Sequence, residues 1–580
     1  MTDPSPRPES DQPDQVGFTP QSMVRWLSPT ELARAAVRVG LSAIFGAYSD
    51  KREIQAALRE CVCFDYSDRS ELWVDFVADL GDGFDSTYTV ASLLAAEKLD
   101  LGPSSGATTP TPRGKVLIMG GDQVYPTASR EAYEDRMQGP YRAALPYTRD
   151  DHPNLFAIPG NHDWYDGLTS FIRVFCQQHW LGGWCTRQTR SYFALQLPHR
   201  WWLLGIDMQF DAYIDDPQLR FFTEEVRPNL RPGDAVILCT GQPNWVAANV
   251  KDPEAFRNLD YFERKVIPEG VQLRVSLSGD THHYAHYASE DGTRHAFTAG
   301  GGGAYLAATH RLPTRLEVPP RHSKDPGRSS PRQYGLVSTF PDRARSRRLR
   351  WGVVRLPLLN PGFWALLGAV HVLYGWMVHG AVRVPGQPFD AVMAGLSFNE
   401  TLAGVGRSPL ALLLSVLVAA GLAGFTKATR PAKRWLVGLT HAAAHLLLVV
   451  AVLRASSALL GPVHGEAFVV AFVAVVAVAG GLLASLLMAG YLIVADALGC
   501  NTNELFAAQR IEDWKNFLRL HVDESGTLTI YPVGVERAGR GWKFRRDAGG
   551  EGAWFHADPP PKAALIEAPV VVGTAGSCPA

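Results

Sequence analysis

The sequence predicts an α/β domain, then an all-α membrane domain, then a small C-terminal helix and hairpin. Three observations lead there. Short aliphatic runs alternate with helical stretches between about residues 60 and 340, the pattern of a layered α/β domain. Four stretches between residues 363 and 494 contain no Lys, Arg, Asp or Glu. Two alternating runs, 517–522 and 527–533, flank Glu524-Ser525-Gly526 and read as a hairpin.

Within the first region, Val116-Leu117-Ile118-Met119 stops at Gly120-Gly121-Asp122, a buried strand opening into a tight turn. Leu155-Phe156-Ala157-Ile158 repeats the arrangement and runs into Pro159-Gly160-Asn161-His162-Asp163. Leu72-Trp73-Val74-Asp75-Phe76-Val77-Ala78 precedes Asp79-Leu80-Gly81-Asp82-Gly83, and residues 273–277 precede Ser278-Gly279-Asp280-Thr281-His282-His283. Ligand sites of α/β folds lie at the carboxyl ends of strands. The stretch 17–60 is expected to be helical, the pattern running from Met23 to Leu58 with Ser28-Pro29-Thr30-Glu31 as an N-cap with proline at the first helical position. Residues 1–16, rich in Pro, Asp, Ser and Gln, read as a disordered tail and as neither signal nor transit peptide.

The spans at about 363–382, 409–425, 435–453 and 467–494 are each near or above the length that crosses a hydrocarbon core, the second being the shortest. Arg343, Arg345, Arg347, Arg348, Arg350 and Arg355 precede the first, and Lys427, Arg430, Lys433 and Arg434 separate the second from the third. The opposite loops hold Arg383, Arg407 and Arg454. Four spans in the cell membrane with both termini cytoplasmic satisfy this bias. The expected organisation is then 61–340 the α/β domain, 341–360 a basic linker, 361–498 membrane, 499–545 helix and hairpin, and 546–580 a disordered tail. His371 and His379 lie eight apart, and His441 and His445 four apart, each pair on one helix face. Hydrogen bonding between helices is their simpler reading, a cofactor or proton role the other.

Composition removes several classes. A formal net charge of -1 gives no basic field, so no nucleic-acid partner is expected. Seven cysteines, at 61, 63, 176, 185, 239, 500 and 578, are too few and scattered for a disulfide framework. Reduced cytoplasmic thiols follow.

Carboxylate, amide oxygen and imidazole at neighbouring strand ends are donors for divalent metals. Asp122 can bridge two ions, Asn161 can bind one through its amide oxygen, and Asp280 and His282 face one side of an extended segment. Two ions 3.5–4 Å apart, as a rough general spacing, generate hydroxide from water and hold both oxygens of a phosphoryl centre.

These residues resemble the calcineurin-like metallophosphoesterase superfamily, and its purple-acid-phosphatase branch in particular. The matching elements are Asp79-Leu80-Gly81, Gly121-Asp122-Gln123-Val124-Tyr125, Gly160-Asn161-His162-Asp163 and Gly279-Asp280-Thr281-His282, within roughly residues 70–310. The resemblance implies a four-layer αββα sandwich and a dinuclear centre of Mn, Zn or Fe. It implies that Asp79, Asp122, His282 and Tyr125 hold the first ion, Asp82 being the rival for Asp79 and packing the rival role for Tyr125. It implies that Asp122 and Asn161 hold the second. His162 would contact phosphate and protonate the leaving group, steered by Asp163. Two positions depart from the pattern: Thr240-Gly241-Gln242-Pro243 lacks the expected histidine, and Asp280 stands where the last motif has its first histidine. A weaker or harder second site, taking Mn²⁺ or Mg²⁺, is the expectation. The implied function is a membrane-anchored hydrolase of phosphate ester substrates facing the cytoplasm at the lipid bilayer. A degenerate domain acting as a metal- or ligand-binding sensor is the alternative.

Overall fold

Leu72–Val77, Val116–Met119 and Asn154–Ala157 are short runs of mainly β-branched, aliphatic or aromatic residues, almost entirely buried, and they pair in parallel. Such runs form strands because both faces of the pleat are covered. The computed structural model describes residues 16–34, 62–102, 108–147, 152–208, 213–428, 430–545 and 552–575. Tail 1–16 (save Val16), most of the helical segment 17–60, and Cys61 and Cys578 lie outside the described residues. The chain divides into two compact units, Met1–Val24 with Phe45–Ser346 and Ile511–Ala580, and Arg25–Ile44 with Arg347–Arg510.

In the first unit, one nine-stranded sheet runs Phe64–Asp65, Phe193–Gln196, Trp201–Gly205, Ala235–Thr240, Gln272–Ser278, His295–Ala299, Tyr284–Ser289, Arg332–Phe340, Arg315–Val318 among the described residues. The other runs Ala564–Leu565, Thr527–Val535, Lys515–Val522, Leu72–Val77, Val116–Met119, Asn154–Ala157, Trp184–Thr186, Trp180–Leu181, with Val570–Thr574 also on Thr527–Val535. Phe76, Ile118 and Phe156 of one sheet share a core with Leu203, Ile237 and Leu277 of the other. Tyr88, Tyr133 and Phe171 cover the outer face of the second sheet, and Phe222 and Phe262 that of the first.

The C-terminal hairpin is too small to fold alone and is expected to pack on the α/β domain or on the helix ends. Lys515–Val522 pairs with Leu72–Val77, Leu518 opposite Phe76, so it joins the sheet of that domain. Arg519 and Asp75, both buried, form a bidentate ion pair of 2.7 and 3.1 Å across that seam. The rest of the C-terminal region differs from the expectation. The segment 546–580, expected as a disordered tail, supplies the strand Val570–Thr574. Its β character shows only against a partner strand. The basic stretch 341–360, expected as a linker, is helical over Arg343–Leu349, with Asp342 accepting from the amides of Ala344 and Arg345 at 2.9 Å. A carboxylate at a helix N-terminus satisfies otherwise orphaned donors.

In the second unit, Pro361–Val382, Pro431–Leu459 and Gly465–Ala497 are each long and apolar enough to cross a membrane. Phe398–Arg407 and Pro409–Phe425 reach that length only together, bent by 91° at their junction, giving three or four candidate spans among the described residues. His441 and His445 bond each other through Nε2 at 3.1 Å, and His371 Nδ1 donates back to the Leu367 carbonyl at 2.8 Å.

Candidate metal centre

Each predicted site residue follows the carboxyl end of a strand. Leu72–Val77 delivers Asp79, Val116–Met119 delivers Asp122 and Tyr125, and Asn154–Ala157 delivers residues 160–163. Gln272–Ser278, in the other sheet, delivers residues 280–283. Asp79, Asp122, Asp280 and His282 all adopt positive φ, of 59, 52, 69 and 28°. Backbone strain of this kind persists where the surroundings over-determine it, and it gathers at functional sites.

The Tyr125 hydroxyl is where the side chains converge. It lies 2.8 Å from Asp79 Oδ1, 3.2 Å from Asp122 Oδ2 and 2.9 Å from His282 Nε2. His282 Nδ1 donates to the Tyr305 carbonyl at 3.1 Å, so its Nε2 carries a lone pair toward the cluster. Three acceptors therefore face a phenol with one proton to give. Asp79 Oδ2 is buried without a hydrogen-bond partner among the described residues. Burial, followed by the charges of Asp122 and Asp280, holds the Asp79 carboxyl well above the carboxylate range. Burial, then Asp163 and Asp280, does the same to Asp122. Burial pushes the His282 imidazole well down, and burial with Asp122 and Asp79 pushes the Tyr125 phenol up.

Crowded buried acids with too few donors are what a cation relieves. Among the described residues no three His, Cys, Asp or Glu side chains already surround a common point. The donor set itself, two carboxylates, a phenol oxygen and an imidazole lone pair, fits a divalent ion.

The 160–163 loop is tied to this cluster. The His162 amide donates to Asp122 Oδ1 at 2.8 Å, and its ring lies over Tyr125 with centroids 4.3 Å apart. Gly160 is required there, because a Cβ would stand 2.2 Å from Asp122 Oδ1. Asn161 is half-buried between them. The His162 ring is held by a 2.8 Å bond from Nδ1 to the Pro126 carbonyl. Asp163, expected to steer that ring, instead receives the Gly160 amide at 2.8 Å, the Gln123 amide at 3.2 Å and the Tyr133 hydroxyl at 2.6 Å. Its buried carboxylate clamps the two loops, and burial raises its pKa to about 7.

The departures from the family pattern fall at the same place. A Cβ on Gly241 would lie 3.1 Å from the Pro159 carbonyl, so the position lacking a histidine does border the loop and brings no side chain. Asp280 is half-buried, and its backbone N–H favours the charged form of Asp79. Asp82, the rival to Asp79, spends its carboxylate on the amides of Val24 and Tyr305, at 2.7 and 3.2 Å. Sequence reasoning missed Tyr133, Tyr305 and the buried Lys515, whose ammonium donates to the Ala304 carbonyl. Only an unexplained lysine at the head of an apolar strand pointed to the last.

Mixed sheets with metal-type donors at adjacent strand ends correspond to the metallophosphoesterase class of fold. Residues 72–284 match the family model of calcineurin-like phosphoesterases. Among solved structures, the chain is similar to GAP50, the anchor in the inner membrane complex of Plasmodium, at 12% identity and TM-score 0.30, over 41% of this chain and 74% of that one. It is also similar to purple acid phosphatase PPD1 from yellow lupin (Lupinus luteus) seeds, at 12% identity and TM-score 0.27, over 43% and 48%. Likenesses this weak carry no argument about activity. No curated protein matches the sequence.

Proposed function

We propose that this chain is a membrane-anchored, metal-dependent hydrolase of phosphoric esters. One observation carries the reading: Asp79, Asp122 and His282 direct three acceptors at the single proton of Tyr125. Asp79, Tyr125, His282 and a bridging Asp122 would hold one divalent ion, and Asp122, Asn161 and Asp280 a second, harder one of the Mn²⁺ or Mg²⁺ type. Bound there, such ions supply Lewis acidity and a nucleophilic water at neutral pH. His162, its Nδ1–H on the Pro126 carbonyl, would as an imidazolium contact a phosphate oxygen through Nε2–H and give that proton to the departing alkoxide. Asp163 fixes the distance between the Asp122 and His162 loops.

The shared core with helices on both outer faces supports the αββα reading of the domain. Leu72–Val77 precedes the apolar helices, Lys515–Val522 follows them, and the two pair in one sheet. A chain that leaves and rejoins one folded domain crosses a bilayer an even number of times. That supports four crossings, with Pro409–Phe425 as the second, and both flanks on the arginine-rich, cytoplasmic side. The missing imidazole at Gly241 favours a second reading, a metal- or ligand-binding sensor without turnover.

The discriminating experiment uses the full chain with Mn²⁺ on aryl phosphate mono- and diesters. Turnover abolished by Asn161→Ala and by His162→Ala supports the hydrolase; none with any divalent metal supports the sensor.

A further inference from the structure

We infer that Lys515, from the strand that follows the membrane helices, is a positioning residue for the His282 imidazole. It acts through the strap formed by residues 300–305, and the inference rests on the metal-dependent reading of the site. Lys515 opens the strand Lys515–Val522 and is completely buried. A buried ammonium needs partners. This one donates to the Ala304 carbonyl and faces the carboxylates of Asp82, Glu512, Asp513 and Asp79.

The strap is bonded along its length. The Asn516 amide donates to the Gly301 carbonyl at 3.1 Å, Gly302 to the Ala78 carbonyl at 2.9 Å and Ala304 to the Asp79 carbonyl at 2.9 Å. Tyr305 then does two things. Its amide donates to Asp82 Oδ2 at 3.2 Å, and its carbonyl accepts Nδ1–H of His282 at 3.1 Å. Its ring meets the His282 ring edge-on, with centroids 4.5 Å apart. The carbonyl held by Lys515 and the carbonyl that sets the His282 tautomer thus belong to adjacent residues.

The strap packs closely against the strand that carries Lys515. A Cβ on Gly301 would lie 2.1 Å from Asn516 Nδ2 and 2.5 Å from the Asn516 amide nitrogen. The run Gly300-Gly301-Gly302-Gly303 is therefore a seam pressed between the Asp79 loop and the Lys515 strand. Removing the ammonium frees the Ala304 carbonyl, and with it the neighbouring carbonyl that aims Nε2 of His282 at Tyr125 and Asp79. The metal-facing geometry is in this way completed by a segment that reaches the domain after the last apolar helix.

Partners that orient a ligating histidine are worth about 10–100-fold in metal affinity. The test is calorimetric titration of Mn²⁺ into purified full-length protein, with hydrogen exchange of residues 300–306 in the metal-free state. Lys515→Met is expected to weaken Mn²⁺ binding by about 10–100-fold and to speed exchange in 300–306. Trp201–Gly205 and Ala235–Thr240 should stay protected. Lys515→Arg keeps the charge but not the fit at Ala304, so it should weaken binding several-fold, and it serves if the methionine variant does not fold. Wild-type affinity together with unchanged exchange in 300–306 overturns the inference. If wild-type protein takes up no Mn²⁺, as expected only of the Asp122→Ala control, the metal-dependent reading falls instead. Strap exchange alone then decides whether Lys515 holds the loop.

Discussion

Replacing Arg519 by methionine should open the central seam of the second sheet. Arg519 has no exposed surface. It gives two bonds to Asp75, of 2.7 and 3.1 Å, and two to Thr111, of 2.9 and 3.2 Å. Without it, Asp75 keeps the Gly114 amide at 3.0 Å as a partner and stays buried with an uncompensated charge. Breaking one half of a buried pair costs about 3–5 kcal/mol, whereas replacing both halves by apolar residues is often close to neutral. The assay is native-state hydrogen exchange on the full chain, read in peptides covering Leu72–Val77 and Lys515–Val522. At one power of ten per 1.4 kcal/mol, Arg519→Met should accelerate exchange there by about two to three and a half powers of ten. Asp75→Leu with Arg519→Met should recover most of that loss. Acceleration below about tenfold in the single variant, or no recovery in the double, would refute the claim that this pair joins the two flanks of the apolar helices.

Three further outcomes follow from the same geometry. In metal-free protein, Asp122→Asn replaces one of the crowded buried acids by a neutral amide of the same shape, so its melting temperature should match or exceed wild type. Added Mn²⁺ should then raise the melting temperature of wild type and not of the variant. A fragment ending at residue 350 lacks the strand beside Leu72–Val77, and circular dichroism with exchange should find its second sheet unprotected. Burial, with His286 and Arg274 beside it, lowers the His295 imidazole from 6.5 to about 4 against the opposing pull of Glu567. Between those values the unfolded chain binds more protons, so stability falls as pH drops from 6.5 toward 4. His295→Gln should flatten that slope in denaturant titrations.

The strand ends were legible because aliphatic runs stop abruptly at Gly121-Asp122 and Gly160-Asn161-His162, a local signal that needs no partner. The apolar helices were legible for the same reason. What could not be read depends on pairing across distance. Asp75 and Arg519 are 444 residues apart, and nothing near either one marks the other. Val570–Thr574 reads as an unremarkable tail until Thr527–Val535 lies beside it. The resemblance assigned Asp163 to steering the His162 ring, but its carboxylate turns to Gly160, Gln123 and Tyr133. Nothing local marks the run at 300–303 as a packed seam, which rests on the atoms of Asn516 around Gly301.

The most direct test of the central claim is turnover of a generic aryl phosphate ester by metal-loaded, full-length protein. Hydrolysis with Mn²⁺ should disappear in Asn161→Ala and His162→Ala while both variants keep the wild-type melting temperature. Absence of hydrolysis with Mn²⁺, Mg²⁺, Zn²⁺ and iron alike, or turnover undiminished by either substitution, would contradict it.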